Sequence, residues 1–263
     1  MIHPTATIHP TAQIADTAEI GPYAIIGENC RIGANTSVGA FSVIEFAEIG
    51  ENCKIFSHAA VGTAPQDLKY KNERTKIVIG KNCIIREFTT LNRGSTASGK
   101  TVIGYDCLFM AYTHVAHDCI VGNGVIMANS ATLGGHVEVG DFAVLSSHIA
   151  VHQFARIGRM VMLGGGSMSN LDILPYAQAQ GDRAKLKGLN LVGMKRKGFT
   201  DTVINEIKNA YRTLFLSGLT IVDALDQLEA ASPGPEVREM IDFARSSKRG
   251  ICRPSRKVMS EEM

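Results

Sequence analysis

Apolar residues recur at every sixth position over two long stretches of this chain. The first stretch runs from Ile2 to Ile44 and the second from Ile103 to Leu163, and neither misses a step. An α-helix repeats every 3.6 residues and a half-buried strand every second residue, so neither element keeps this spacing. A six-residue period is typical of a parallel β-helix, in which each hexad supplies one short strand and one turn. Three hexads then make one coil, and the apolar positions face the interior of a prism.

A second inward-facing position supports this interpretation. Four residues after each apolar residue comes a small or branched one, and residues two apart on a strand share a face. Five of the six cysteines occupy this position: Cys30, Cys53, Cys83, Cys107 and Cys119. Their spacing matches no paired zinc-binding pattern, which favours packing as small hydrophobic groups. Free buried thiols also suggest a reducing compartment.

The six-residue period is interrupted in two places and then ends. Polar residues fill the segment 63–76, which we expect to leave the prism as a loop, and 92–100 resembles a smaller excursion. After Pro175 and Gly181 the pattern becomes helical. The sequence therefore predicts a parallel β-helix over residues 1–181, with an extruded loop near 63–76, and a small α-helical domain over 182–263. Three helices are predicted there, from Thr200 to about Ser217, from Ile221 to about Ala231 and from Pro235 to about Ser246.

Composition excludes some functional classes. The formal charge of +2 argues against wholesale nucleic-acid binding. No apolar stretch approaches the roughly 18 residues that a membrane span needs. The repeat begins at Ile2, where a signal peptide would need its charged and apolar regions, so we expect a cytoplasmic protein.

Histidines gather at one place in the predicted coil. His117, Gly135 and Gln153 are separated by one coil each and form a vertical column, and His136 and His152 are each one residue away from it. Neighbouring coils lie about 4.8 Å apart, so these side chains should cluster along one edge of the prism. His114 lies in the hexad before His117. Such a cluster is compatible with surface histidines, with a zinc site or with a catalytic base.

Five motifs in order resemble one enzyme family. They lie in the extruded loop, in three later hexads and before the first predicted helix: Gln66–Tyr70, His114–Asp118, Gly134–Val137, Val151–Phe154 and Gly193–Phe199. Together they resemble the acyl-carrier-protein-dependent UDP-N-acetylglucosamine 3-O-acyltransferases of lipid A synthesis. The resemblance implies a left-handed parallel β-helix that transfers a 3-hydroxyacyl chain from a thioester on acyl carrier protein. It implies no metal and no cofactor, because the acyl group arrives on the carrier's phosphopantetheine.

The resemblance also implies roles for single residues. His117 would be the general base, Asp118 would orient it, and the Gly135 N–H would bind the oxyanion. Contacts with the nucleotide sugar are implied for Asp67, Lys69, His114, His136, His152, Gln153, Asn190, Arg196 and Lys197. Gly165 would act as the acyl-chain ruler, with Met168 nearby.

Alternatives and partners follow from the same comparison. Family members often carry other residues at Asn92, Val192 and Lys197, which leaves open whether the acceptor is the 3-hydroxy sugar or its 3-amino analogue. The related N-acyltransferase of the pathway is a further alternative. We expect an acidic carrier protein to dock on the basic residues near the C-terminus, namely Arg245, Lys248, Arg249, Arg253, Arg256 and Lys257. The resemblance implies a homotrimer with sites between subunits. The sequence pattern by itself indicates only that the protein is not a monomer, because large groups occupy outward positions: Tyr112, His136, Phe142, His148, Phe154 and Met160.

Overall fold

The chain forms a three-sided prism of short parallel strands, followed by four helices. A computed structural model describes residues 1–255. Each strand pairs with the strand one coil away, as in Ile8 with Ile26 and Ile26 with Ile44. The predicted parallel β-helix with a helical C-terminal part is therefore confirmed.

The strands fall into three sheets, which we call the first, second and third faces in the order that the chain visits them. The first face contains β1 Thr7–Ile8, β4 Ile25–Ile26, β7 Val43–Ile44, β10 Ala60–Thr63, β13 Thr90–Asn92, β16 His114–Val115, β19 Thr132–Leu133, β22 Ala150–Val151 and β25 Met168–Ser169. The second face contains β2 Gln13–Ile14, β5 Arg31–Ile32, β8 Ala47–Ile49, β11 Lys76–Ile79, β14 Lys100–Ile103, β17 Ile120–Val121, β20 Glu138–Val139 and β23 Arg156–Ile157. The third face contains β3 Glu19–Ile20, β6 Ser37–Val38, β9 Lys54–Ile55, β12 Ile84–Ile85, β15 Leu108–Phe109, β18 Ile126–Met127, β21 Val144–Leu145, β24 Met162–Leu163, β26 Ala177–Gln180 and β27 Lys185–Leu189. We call the turns between the first and second faces the first corner, those between the second and third the second corner, and those between the third and first the third corner.

The repeated apolar residues form the core. Every member of the series from Ile103 to Leu163 is at most 3% exposed. All six cysteines are buried and unpaired, as the packing position predicted for five of them, and burial raises the pKa of the Cys119 thiol to about 12. Cys252, outside the repeat, is buried as well. At the start of the prism no coil covers the first one, so Ile2 is 47% exposed although it keeps the repeat.

The interruptions of the period become features of the prism's surface. From Ile44 to Ile49 the apolar residues are five positions apart and not six, and the shortened turn is made at Phe46, which has a φ of 45°. Val61 and Ile79 lie on the first and second faces, so the residues between β10 and β11 leave the prism as the predicted loop and do not form a stacked coil. The segment between β13 and β14 makes the smaller excursion that was also predicted.

The helical part contains α1 Leu191–Arg196, α2 Asp201–Leu216, α3 Ile221–Ala230 and α4 Pro235–Arg245. The three predicted helices are confirmed. The first two have the predicted caps, since the hydroxyls of Thr200 and Thr220 accept the N–H groups of Val203 and Asp223, and the third begins at the predicted Pro235. The short α1 was not predicted. The predicted division at residue 181 falls inside the turn between β26 and β27, which pair antiparallel. None of the helices within residues 1–255 is long and apolar enough to span a membrane.

The helices are tied to the prism by polar contacts. Arg156 on the second face pairs with buried Asp172, donates to the Phe243 carbonyl at 2.8 Å, and lies 4.3 Å from the centre of the Phe243 ring. The hydroxyl of Tyr176, which is fully buried, donates to Glu239 of α4. These contacts fix α4 against the later coils.

Candidate active site

A cavity of about 900 Å³ opens at the first corner, between the turns of successive coils and the extruded loop. Its floor comes from β16, β19 and the turns after them, and one wall comes from the loop. Seven of the predicted site residues line it: Asp67, Lys69, His114, His117, Gly135, His136 and Gln153. The predicted column of His117, Gly135 and Gln153 is therefore confirmed as one side of a cavity.

His117 and Asp118 form a hydrogen-bonded pair, with 2.7 Å between Nδ1 of the imidazole and Oδ2 of the carboxylate. Adjacent side chains on a regular strand would point to opposite faces. The pair forms because Asp118 lies in the corner turn with a φ of 59°, a left-handed conformation that aspartate tolerates better than most residues. With Nδ1 donating to the carboxylate, Nε2 of His117 is left as the acceptor that a general base needs.

The carboxylate of Asp118 is completely buried. Its Oδ1 accepts the Ser95 N–H at 3.0 Å and the hydroxyl of Ser98. Burial acts to raise the pKa of Asp118, but hydrogen bonds from Ser98, His117 and Ser95 outweigh it and lower the pKa to about 2. The pair therefore contains a fixed negative charge throughout the neutral range.

Gly135 lies one coil from the imidazole. A Cβ at this position would come within 2.8 Å of Cε1 and Nε2 of His117, so only glycine leaves the ring its place. Within the described residues, the Gly135 N–H has no protein acceptor. An unused donor beside a base is the arrangement that binds an oxyanion.

Two other histidines border the pair. His136 packs edge-on against His117, with ring centres 5.2 Å apart, and its other side stacks on Phe154 at 4.6 Å. Its Nε2 lies 3.7 Å from Oδ2 of Asp118. Nδ1 of His114 lies 2.7 Å from the Thr90 hydroxyl. Burial, and to a lesser degree the nearby His117, lowers the pKa of His114, which favours its neutral form.

The extruded loop is held by a buried arginine that the sequence analysis did not single out. Arg93 is 6% exposed, and it donates to the Gly62 carbonyl at 2.9 Å and to the Tyr70 hydroxyl at 2.8 Å. Its guanidinium also lies 4.5 Å from the centre of the Phe46 ring. These contacts place Oδ2 of Asp67 4.0 Å from Nε2 of His117. The sequence signal for this role is an arginine within the smaller excursion, residues 92–100.

Other predicted site residues lie elsewhere on the chain. His152 and Met168 line a separate groove of about 240 Å³ on the first face. Gly165 lies at the third corner, where a Cβ would meet only ordinary contacts with Ser146 and Ser147. The roles of these residues in substrate binding and as a ruler stay predictions.

The predicted nucleotide-binding residues lie at the second corner. Asn190 caps α1 by accepting the Gly193 N–H, and its amide donates to the Met160 carbonyl at 2.8 Å. The Lys197 ammonium lies 3.8 Å from the centre of the Phe142 ring, and Arg196 is exposed at the end of α1.

The outward residues of the repeat differ in exposure, and Asn92, where family members often carry another residue, is buried. Tyr112 and Phe154 are 60% and 52% exposed, as expected, but the expectation for Met160 was wrong. It is buried because the segment containing Asn190 covers it. Asn92 is also buried, and its amide donates to Thr63 and Ala64.

Some of the basic residues predicted to bind the carrier protein are already paired within the chain. Arg245 pairs with Asp226 and Glu229 at 2.7 Å. Arg249 donates to the Asn170 carbonyl, and Lys248 is exposed. Arg256 and Lys257 lie outside the described residues.

The arrangement resembles a metal site in one respect. One potential ligand atom from each of His117, Asp118 and His136 lies within 4.8 Å of the others. A cation there would have to displace the hydrogen bond between His117 and Asp118, and the remaining carboxylate oxygen already has two donors. The geometry suits proton transfer better than coordination.

Comparison with known proteins gives three matching family models. The model described as UDP-N-acetylglucosamine O-acyltransferase, domain 2, matches residues 172–252, and the bacterial transferase hexapeptide model matches residues 100–135. A model of the GMPPB C-terminal domain matches residues 2–102.

Relatives match over most of the chain. An acyl-(acyl-carrier-protein)–UDP-N-acetylglucosamine O-acyltransferase of Myxococcus xanthus is 48% identical over 194 residues, which cover 73% of this chain and 75% of the relative. The crystal structure of a UDP-N-acetylglucosamine acyltransferase from Bacteroides fragilis superimposes with a TM-score of 0.94 and 42% identity, covering 96% of this chain and 100% of that one. The enzyme of the same name from Francisella novicida gives a TM-score of 0.95 at 36% identity, covering 98% and 96%.

Proposed function

The chain belongs to the acyl-(acyl-carrier-protein)–UDP-N-acetylglucosamine O-acyltransferase family, and on this premise we propose that it transfers a 3-hydroxyacyl chain from acyl carrier protein to the 3-position of UDP-N-acetylglucosamine. This is the first step of lipid A synthesis. The observation that carries the proposal is the pairing of His117 with a buried carboxylate beside the unused N–H of Gly135.

The geometry supports a direct attack on the thioester. Nε2 of His117 removes the proton of the sugar 3-hydroxyl as the oxygen attacks the carbonyl carbon. The negative charge of Asp118 stabilises the imidazolium that forms, and the Gly135 N–H stabilises the oxyanion. The C–S bond then breaks and the carrier thiolate leaves. Because a thiol has an ordinary pKa near 8.5, the thiolate leaves without strong acid assistance and takes up the proton afterwards.

The acceptor sugar fits between the loop and the base. Asp67 and His117 are separated by 4.0 Å, too far for a direct hydrogen bond but suited to a pair of groups that both contact a sugar. Lys69 and Gln153 line the same cavity and supply polar contacts. No cofactor enters this scheme, since the donor carries its own thioester.

We infer that the complete site lies between the subunits of a homotrimer. Residues proposed for base, nucleotide and ruler lie at the first, second and third corners of one chain, and a three-fold arrangement of prisms brings different corners together. Outward positions of the third face are apolar in five successive strands: Ile84, Leu108, Ile126, Val144 and Met162.

The third corner adds a second apolar surface. Five stacked rings with centres 5.0 to 5.2 Å apart run along it: Tyr23, Phe41, His58, Phe88 and Tyr112. Four of them, excluding His58, are between 45% and 60% exposed. A continuous apolar strip of this kind favours burial against a second copy of the chain.

A transfer assay tests the proposed reaction. The purified protein is incubated with 3-hydroxyacyl carrier proteins of different chain lengths and with UDP-N-acetylglucosamine or its 3-amino analogue, with and without EDTA. We expect an O-acylated product whose formation EDTA does not reduce. Acylation of the 3-amino analogue alone would support the alternative acceptor. Turnover of neither sugar, or loss of activity with EDTA, would contradict the proposal or its metal-free chemistry.

A further inference from the structure

The small excursion between β13 and β14 reaches the catalytic pair. Ser98 lies in this segment, twenty residues before Asp118 in sequence, and its hydroxyl contacts Oδ1 of the buried carboxylate. The carboxylate uses its other oxygen, Oδ2, for His117. The hydroxyl therefore holds the side of Asp118 that faces away from the imidazole.

The hydroxyl of Ser98 has one proton and two acceptors within reach. The other acceptor is the Lys100 carbonyl at 2.8 Å. A hydrogen bond to an ionised carboxylate is about twice as strong as one between neutral groups, so the proton belongs on Asp118. The carbonyl of Lys100 is a main-chain group of a paired strand and does not depend on Ser98 for its place.

Asp118 depends on few donors. Its carboxylate has no exposed surface, and it accepts hydrogen bonds from the Ser95 N–H, the Ser98 hydroxyl and His117. The side chains of Ser98, His117 and Ser95 and the Ser95 N–H all lower the pKa of Asp118, and Ser98 contributes most. Ser98 is therefore the strongest side-chain donor outside the pair, and a substitution can remove it without touching the pair or the main chain.

We propose that Ser98 is a positioning residue that fixes the Asp118 carboxylate against His117 and so aligns the general base. The proposal rests on the function proposed above and extends it to the excursion of residues 92–100. Ser98 contacts no reacting atom. Removing its hydroxyl should therefore lower kcat and leave the affinity for the UDP-sugar unchanged.

A matched pair of substitutions isolates the hydroxyl. Threonine and valine have nearly the same shape, so S98T keeps the donor and S98V removes it at equal bulk. Ser98 is exposed on its outer side, which leaves room for the added methyl group. We expect kcat of S98V to fall roughly tenfold, with KM for the UDP-sugar changed less than about twofold, and S98T to stay close to the wild type. Equal kcat values for S98T and S98V would overturn the proposal.

A double-mutant cycle tests whether Ser98 acts through Asp118. In a D118A background the acceptor is absent, so S98V should cause no further loss of kcat. A full additional loss there would show that Ser98 acts through another group and would overturn the proposal. H117A is assayed in parallel. An inactive H117A beside an unaffected S98V would reject the role of Ser98 alone, whereas an active H117A would reject the proposed function itself.

Discussion

At the scale of single residues, the site depends on side chains and backbone fitting around one imidazole. Gly135 shows how tight this fit is, because a Cβ at this position would lie 2.8 Å from the His117 ring. The sequence placed these two residues in one column by counting coils. Adjacent side chains on a regular strand point to opposite faces, and the positive φ of Asp118 provides the turn that lets it pair with His117.

Substitution of Gly135 should disable the site without unfolding the chain. In G135A the new Cβ would displace the imidazole and crowd the N–H proposed to bind the oxyanion, so we expect kcat/KM to fall by roughly 10²-fold. Steady-state transfer kinetics measure the loss. G234A is the control, since its Cβ meets only the flexible end of Glu206 far from the cavity. Wild-type kinetics for G135A would remove Gly135 from the mechanism.

The residues that sequence reasoning missed have a common cause. Arg93 and Ser98 act through contacts with residues more than nineteen positions away, and those contacts depend on the path of an insertion whose sequence has no period. Hexad counting predicts which repeat positions align, but it does not predict where a polar excursion folds back.

At the scale of elements, the extruded loop is a wall whose position depends on the prism. Tyr70 accepts a hydrogen bond from Arg93 and donates one to the Glu73 carbonyl at 2.8 Å, which joins the loop to the coil and to itself. Asp67 and Lys69, the proposed sugar contacts, lie directly before it.

Removing the Tyr70 hydroxyl should loosen this wall. We expect Y70F to raise KM for the UDP-sugar several-fold while kcat changes less, because two hydrogen bonds of about 1 kcal/mol each are lost from the loop and none from the base. Y105F serves as the control on a half-exposed tyrosine outside the cavity. An unchanged KM for Y70F would mean that the loop holds its place without the hydrogen bonds of the Tyr70 hydroxyl.

The strands and helices that the sequence predicted are those with a regular spacing of apolar residues. The hexad strands were predicted because each has one buried residue in a fixed register, and α2 to α4 because capping residues and helical spacing agree. The six-residue α1 has a capping residue, Asn190, but it is too short to show helical spacing and it contains a glycine, so the sequence did not predict it.

At the scale of the whole molecule, the chain should assemble through its third face. We expect sedimentation to give a species of three chains, about 85 kDa from a 28.3 kDa protomer. I126E places a charge among the outward apolar residues of the third face and should dissociate the assembly with loss of activity. I120E carries the same change on the second face and should stay trimeric. A fully active wild-type monomer would contradict sites shared between subunits.

The carrier protein should recognise basic residues beyond α4. Because Arg245 is neutralised by Asp226 and Glu229, the prediction falls on Lys248 and Arg249. We expect K248E/R249E to raise KM for acyl carrier protein, more strongly at low salt, with KM for the UDP-sugar little changed. The comparison variant is K208E/R212E, which alters a groove of about 750 Å³ beside α2. A raised carrier KM in that variant alone would move the docking surface there.

The proposed function depends on His117 acting as the base of an acyl transfer. Its most direct test is the rate at which H117A forms UDP-3-O-acyl-N-acetylglucosamine from 3-hydroxyacyl carrier protein, compared with the wild type at equal concentration and with unchanged thermal unfolding. The side chain is partly exposed in the cavity and contributes little to the core, so the fold should persist. We expect a loss of at least 10²-fold, within the range of 10²–10⁴ that general-base catalysis ordinarily contributes. An H117A rate within about tenfold of the wild type would contradict the assignment.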